Sequence, residues 1–260
     1  MGNPNATAVI ALHGLLGSLR NWTSAGRLLA ERFRVITVDA RNHGSSFHSD
    51  SMIFDDMIED LLELMDHLGL DSATLMGHSM GGKTAMIFAC RYPERVDRLF
   101  VVDTAPKDYP NHHSAELKAM NAVDLSKLES RKDADALMSE FIDDWAFRQF
   151  LISNIVRGED GDFKWTINLP VIEAHIPVLA KNALDLEDTF EGNSHFLIGG
   201  LSYFVDQSDF NDIRFHFPKA SIDVWDDSGH NPHFEHRDRF VGWILGKVAL
   251  RQVQGEKDEL

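Results

Sequence analysis

One five-residue stretch constrains this chain more than any other: Gly77-His78-Ser79-Met80-Gly81. It follows the apolar run Ala73 to Met76 and precedes a helix-forming run from Lys83 to Arg91. A G-x-S-x-G word between a strand and a helix is the pattern of a nucleophile elbow, which holds a serine on a sharp, strained turn. Glycine is needed on both sides, because a β-carbon at residue 77 or 81 would collide with the neighbouring strand or helix. Ser79 then projects above the sheet. Its backbone lies at a helix N-terminus, where positive partial charge favours an oxyanion. The word is short, and a glycine-rich strand–helix turn without chemistry also satisfies it.

Other segments supply complementary parts in a consistent order. His13-Gly14-Leu15-Leu16-Gly17 follows a second apolar run, Ala8 to Leu12. Backbone N–H groups of Leu15 and Met80 would converge there on the carbonyl oxygen of a substrate at Ser79. Far downstream, Ala220 to Trp225 reads as a strand, and Asp226-Asp227-Ser228-Gly229-His230 as a turn that ends in histidine. A histidine in a loop after the last strand suits the general base that a serine nucleophile requires.

The words His13-Gly14-Leu15-Leu16-Gly17-Ser18, Asp39-x-Arg41-Asn42-His43-Gly44, Gly77-His78-Ser79-Met80-Gly81-Gly82-Lys83, Val102-Asp103-x-Ala105-Pro106-x-x-Tyr109 and Gly229-His230 span positions 13 to 230. Together they resemble the α/β-hydrolase superfamily, and most of all the small YbfF-type esterases. The resemblance implies a mostly parallel sheet flanked by helices, an inserted cap, and a cofactor-free serine hydrolase acting on esters. The chain departs from the superfamily at its start. Members usually carry two strands before the one leading to the His-Gly loop, but only seven residues precede Ala8. The sheet is therefore expected to be shortened at that edge, to about six strands.

The periodicity supports the α/β class. Strands are predicted at Ala8–Leu12, Val35–Asp39, Ala73–Gly77 and Leu99–Asp103, alternating with helices at Trp22–Glu31, Phe54–Leu68 and Gly81–Arg91. Met57, Leu61, Leu64, Met65 and Leu68 recur at helical spacing. Strand–helix alternation implies βαβ crossovers and a parallel sheet covered on both faces. The rhythm stops at Ala105-Pro106. Residues 107–192 read as a helical cap with no clear strand, its helices at Ser114–Val123, Asp133–Asp144 and Ala146–Arg157. Strands return at His195–Ile198 and Ile222–Trp225, and a helix over Phe234–Leu250 closes the chain. The predicted organisation is a core of 1–106 and 193–260 with the cap inserted between. Trp145, Phe147, Phe150 and Trp165 lie in the cap. Some of them are expected to face the cleft and, with Leu15 and Met80, to form an apolar acyl site.

The acid that orients His230 is less plain. In most relatives it follows the strand placed here at 195–198, but Ser202 stands near that position and cannot supply an anion. Asp103 ends the apolar run Leu99 to Val102, which places it on the same rim of the sheet as Ser79. The resembling esterase motif also carries its acid there. Asp206 is the next candidate, and Asp209 lies beyond it. A purely structural Asp103 would cap the turn before Pro106.

The remaining residues receive bland readings. His230, His233 and His236 are spaced by three, yet a zinc site needs three or four converging ligands, and Ser79 accounts for His230 better. His233 and His236 are expected near the pocket rim or on the last helix, and no metal is assigned. Arg41-Asn42-His43-Gly44 suits a tight structural loop. Lys83, one turn into the elbow helix, is expected on the surface or in packing. The single Cys90 is expected to be a small, partly apolar core residue and excludes an intramolecular disulfide, which fits a reducing, cytoplasmic setting.

With 25 Lys and Arg against 41 Asp and Glu, the net charge is −16. That disfavours nucleic acid and anionic membranes as partners. No apolar run approaches a membrane span, and no signal peptide is evident. The terminal Lys257-Asp258-Glu259-Leu260 spells a retention signal but reads as the charged end of a helix. The sequence sets no oligomeric state. It points to a serine carboxylesterase for small to medium acyl esters, working through Ser79, His230 and Asp103 with no cofactor. A thioesterase using the same residues, or a non-catalytic binding module on the same fold, are the alternatives.

Overall fold

The computed structural model describes residues 1–110 and 113–255, with side chains described as far as Ala249. Lys257 to Leu260, read above as a helix end, lie outside the described residues.

The first half alternates as the periodicity requires. Strand β1 (Ala8–Leu12) leads through a short 3-10 turn to helix α1 (Thr23–Leu29) and strand β2 (Arg34–Val38). Helix α2 (Phe54–His67) returns to β3 (Ala73–His78), then α3 (Met80–Arg91) to β4 (Val96–Val102). Between β4 and the next sheet strand lie α4 (Ser114–Asn121), α5 (Arg131–Met138), α6 (Trp145–Ile152), a hairpin of β5 (Ile155–Arg157) and β6 (Phe163–Trp165), and α7 (Leu169–Leu179). The chain then adds β7 (Ser194–Gly199), α8 (Phe210–His216), β8 (Ala220–Trp225), α9 (Pro232–Glu235) and α10 (Arg237–Gly255). The six-stranded sheet runs β2-β1-β3-β4-β7-β8, with every pairing parallel. The expected six strands are present among the described residues, with β2 at one edge. Met1 lies alongside that edge, its backbone exchanging hydrogen bonds with Val35.

Side-chain alternation places a core on each face. Ala8, Ile10, Leu75, Leu99 and Val101 face α2, α3 and the segment between β4 and β7. Val9, Ala11, Met76, Phe100 and Val102 face the other way, onto Trp22, Leu29, Phe240 and Ile244. A strand buried on both faces reads as a continuous apolar run, as Leu99 to Val102 does.

The segment between β4 and β7 corrects the sequence reading in several places. Helix α5 ends at Met138 rather than Asp144. Helix α6 ends at Ile152 rather than Arg157, and a hairpin follows where no strand was expected. Asn154 explains the stop. Its side chain donates to Leu16 O and Leu151 O, and its carbonyl accepts from Thr166, so the backbone leaves the helix and starts the hairpin. Gly161, at φ +89°, supplies the left-handed residue of the turn. Helix α7 is a further helix in this segment, beyond the three predicted. Pro170 occupies the first turn, where its missing N–H costs nothing. The predicted closing helix is also divided, at His236.

Candidate active site

The elbow forms where the sequence places it. Ser79 separates β3 from α3 at φ +51°, ψ −116°, a conformation that L-residues rarely adopt. The strand side is anchored by the Ser79 N–H, which donates to Val102 O at 3.0 Å. The helix side is anchored by the Lys83 N–H, which donates to Ser79 O at 3.0 Å. Close approach explains the glycines. A β-carbon on Gly77 would lie 2.2 Å from Gly81 O, and one on Gly81 would lie 2.5 Å from Leu12 O. Strain held this firmly by its surroundings is characteristic of functional sites.

The His-Gly loop is built on buried histidines. His13 donates from Nδ1 to Gly14 O at 2.8 Å, and its Nε2 accepts the Ala40 N–H at 3.0 Å. His43 donates from Nδ1 to Arg41 O, and its Nε2 accepts the Leu16 N–H at 3.2 Å. Each ring thus works as a neutral donor–acceptor. Burial pushes the His43 pKa down to about 3 and lowers that of His13. The expected structural role of Arg41 to Gly44 is seen directly. Arg41 pairs with Asp56 and Asp60, and Gly44 adopts φ +56° against Asp39. Leu15, carried on this loop, lines one cavity together with Ser79 and Met80.

Asp103 follows β4 at φ +50° and is fully buried. Its carboxylate accepts three hydrogen bonds: from Gly199 N at 2.9 Å, from the Ser202 hydroxyl at 2.5 Å and from His230 Nδ1 at 2.6 Å. An ionised carboxylate only accepts, so His230 Nδ1 carries the proton and neutral Nε2 is left as an acceptor. Phe204 lies flat against the His230 ring, 3.9 Å between centroids, and also lines the Ser79 cavity. Phe204 N–H donates in turn to Ser202 Oγ. On the other side, buried His78 hydrogen-bonds His230 O at 2.8 Å. The turn that carries His230 is tied by Glu235, which accepts from Gly229 N, Asn231 N and the Ser228 hydroxyl. Asp206 instead caps a 3-10 turn through Ser208, and Asp209 pairs with Lys107 at 2.6 Å, so neither meets His230.

Several sequence readings are revised. His233 does not sit near the rim: it is buried between Trp22 and His78, with ring centroids 4.4 and 4.7 Å away, and burial takes its pKa down to about 3. His236 bonds Asp227 O instead. The three histidines therefore do not converge. None of Trp145, Phe147, Phe150 or Trp165 lines the Ser79 cavity. Trp145 is exposed, and the other three pack against the core cluster. The cavity's aromatics are Tyr109 and Phe204, and its roof is Ile176, Leu179 and Ala180 at the end of α7. Lys83 is buried and lines the cavity, so it is not a surface residue. Cys90 on α3 is partly buried, which pushes its thiol up to about 12 and keeps it protonated. Sequence reasoning missed Glu235, His78 and Phe204. Only Ser202 left a trace, as a residue of the wrong type at the usual acid position.

The cavity over Ser79 is small, about 50 Å³. The arrangement presents a strained hydroxyl, an imidazole with a fixed tautomer and a buried carboxylate on one rim of the sheet. No described helix is long and apolar enough to cross a membrane.

The chain is similar to known proteins of this fold. The family model for the alpha/beta hydrolase fold matches residues 7–147. The chain is 38% identical to sn-1-specific diacylglycerol lipase ABHD11 of Mus musculus over 256 residues, covering 95% of this chain and 83% of the relative. It is 33% identical to Esterase YbfF of Escherichia coli (strain K12), covering 90% of each. Among solved structures it is similar to a marine microorganism esterase, with a TM-score of 0.91, 35% identity, and 94% and 96% of the two chains covered. The chain belongs to the α/β-hydrolase fold family.

Proposed function

We propose that this protein is a serine hydrolase that cleaves carboxylic esters of small to medium acyl chains through an acyl-enzyme on Ser79. The observation that carries the reading is the 2.6 Å Asp103–His230 bond on the rim where Ser79 is held at φ +51°. Relatives named as esterases and lipases support the ester class.

In this mechanism Ser79 Oγ attacks the ester carbonyl as His230 Nε2 removes its proton. Asp103 holds the tautomer and stabilises the imidazolium that forms. Backbone N–H groups of Leu15 and Met80, both at the cavity wall, receive the developing oxyanion. Each such donor contributes on the order of 3 kcal/mol to the transition state in comparable sites. His230 returns the proton to the departing alkoxide. Water, activated by the same histidine, then releases the acid. No cofactor takes part. Residues 107–192 act as the cap, with α7 as the roof. The small cavity favours short acyl groups. A net charge of −16 and a single cysteine agree with a cytoplasmic protein that binds neither nucleic acid nor anionic membranes.

A series of p-nitrophenyl esters from two to twelve acyl carbons, assayed beside acyl-CoAs of matched length, tests the reading. The expected result is the highest kcat/KM on esters of the shorter half of the series. A tenfold preference for the acyl-CoAs would make the protein a thioesterase, and no turnover by folded protein would make it a binding module.

A further inference from the structure

Lys83 stands out among the buried charges. It lies one turn into α3, with its backbone on Ser79, and its ammonium extends beneath the end of α7. There Nζ donates to Leu179 O at 2.9 Å and to Lys181 O. The carbonyl between them, Ala180 O, accepts the Tyr109 N–H at 2.7 Å. Three consecutive carbonyls at the α7 terminus are therefore satisfied by groups outside the helix. Those carbonyls are the negative end of a helix and have no intrahelical partners. The ammonium also lies 5.0 Å from the Phe54 ring and 5.4 Å from the Tyr109 ring. Asp108, the nearby anion, is committed to Lys181 Nζ and Asn182 N. Burial lowers the Lys83 pKa to about 8, a cost a packing residue would avoid with an apolar side chain.

The helix end that Lys83 holds is the roof of the Ser79 cavity. We propose that Lys83 is a positioning residue for ester binding: it fastens the C-terminus of α7 to the nucleophile helix and so sets the shape of the acyl pocket over Ser79. The inference rests on the proposed esterase reading. It assigns Lys83 a place in the scaffold and no part in the chemistry, since two of its three N–H donors are bound to Leu179 O and Lys181 O. Without them, the buried Leu179 carbonyl and the half-buried Lys181 carbonyl lose their partner, and the end of α7 recovers hydrogen bonds by lifting toward water.

The test is Lys83→Met in the full-length protein, with two readouts. Steady-state kinetics on a short p-nitrophenyl ester should show KM raised about tenfold, the size expected for unpairing one buried carbonyl, with kcat changed by less than about threefold. Hydrogen exchange should accelerate in the amides of α7 while those of β3 and β4 stay protected. Lys83→Gln, a milder change that keeps an amide donor but shortens the reach, should move both readouts the same way by a smaller factor, and it serves if the Met variant does not fold. Unchanged KM and unchanged α7 exchange in a folded variant would overturn the inference. So would a loss confined to kcat. The exchange readout needs no turnover. Failure of the esterase reading therefore appears as wild-type protein without activity, and failure of the Lys83 inference as α7 exchange that the substitution does not alter.

Discussion

Asp103→Asn is the perturbation whose cost can be worked most fully from the structure. The carboxylate is fully buried and accepts from three donors: Gly199 N on Oδ1, and Ser202 Oγ and His230 Nδ1 on Oδ2. An amide offers one accepting oxygen and one donating nitrogen. With its oxygen toward Gly199, the NH₂ faces His230 Nδ1, and the imidazole must turn to the tautomer that protonates Nε2. That tautomer cannot take the Ser79 proton. With its oxygen toward His230, the NH₂ opposes the Gly199 N–H, leaving a buried donor unpaired at about 1–3 kcal/mol. Neither orientation stabilises an imidazolium. A loss of about 10⁴ in kcat follows from the wrong tautomer alone. The assay is kcat on a p-nitrophenyl ester, with Asp206→Asn as control. Asp206 caps an exposed turn, which asparagine caps equally well, so the control should stay within about twofold of wild type. An Asp103→Asn enzyme within tenfold of wild type, or an Asp206→Asn enzyme as damaged as expected for Asp103, would refute the reasoning.

Ser202→Ala removes the 2.5 Å bond to Asp103 and the acceptor of Phe204 N–H. A hydrogen bond to a charged group is worth about 1.5–3 kcal/mol, so kcat should fall about ten- to a hundredfold while KM changes little. His230→Ala should be as inactive as a serine knockout. His233→Ala should keep most of its activity but lose about 2 kcal/mol of stability in chemical denaturation, because His233 fills the space between Trp22 and His78. The buried histidines also set an acid limit. His43 and His233 are held down at about 3, below an unfolded value near 6.5, so the unfolded chain binds more protons between those limits. Their contribution is complete above about pH 6.5 and is lost as pH falls through that window. Between pH 7 and 5 each should remove about 2 kcal/mol, read as a drop in the urea midpoint. A midpoint that stays level or rises on acidification would contradict their neutral burial.

The sheet and the elbow were legible because each strand carries its own signal. Leu99 to Val102 is continuously apolar, and Gly77 and Gly81 mark close approaches that the sequence alone demands. The placement of Asp103 on the rim followed from the end of β4. What could not be read depends on contacts distant in sequence. Asn154 stops α6 by bonding Leu16, a partner 138 positions away. Helix α7 ends on hydrogen bonds from Lys83, which lies 96 positions before Leu179. The Ser79 cavity takes its aromatics from Tyr109 and Phe204, on loops beside the sheet, and not from the aromatic-rich stretch between residues 145 and 165. Composition identifies aromatic residues, but only the chain path decides which of them faces the serine.

The central claim is that Ser79 is the group that becomes acylated. Treatment with a fluorophosphonate, followed by intact-protein and peptide mass spectrometry, tests it directly. The expected result is one adduct per chain, carried on Ser79, with activity lost in proportion and no adduct on a folded Ser79→Ala variant. An adduct on another residue that abolishes activity, or full ester hydrolysis by Ser79→Ala, would contradict the account.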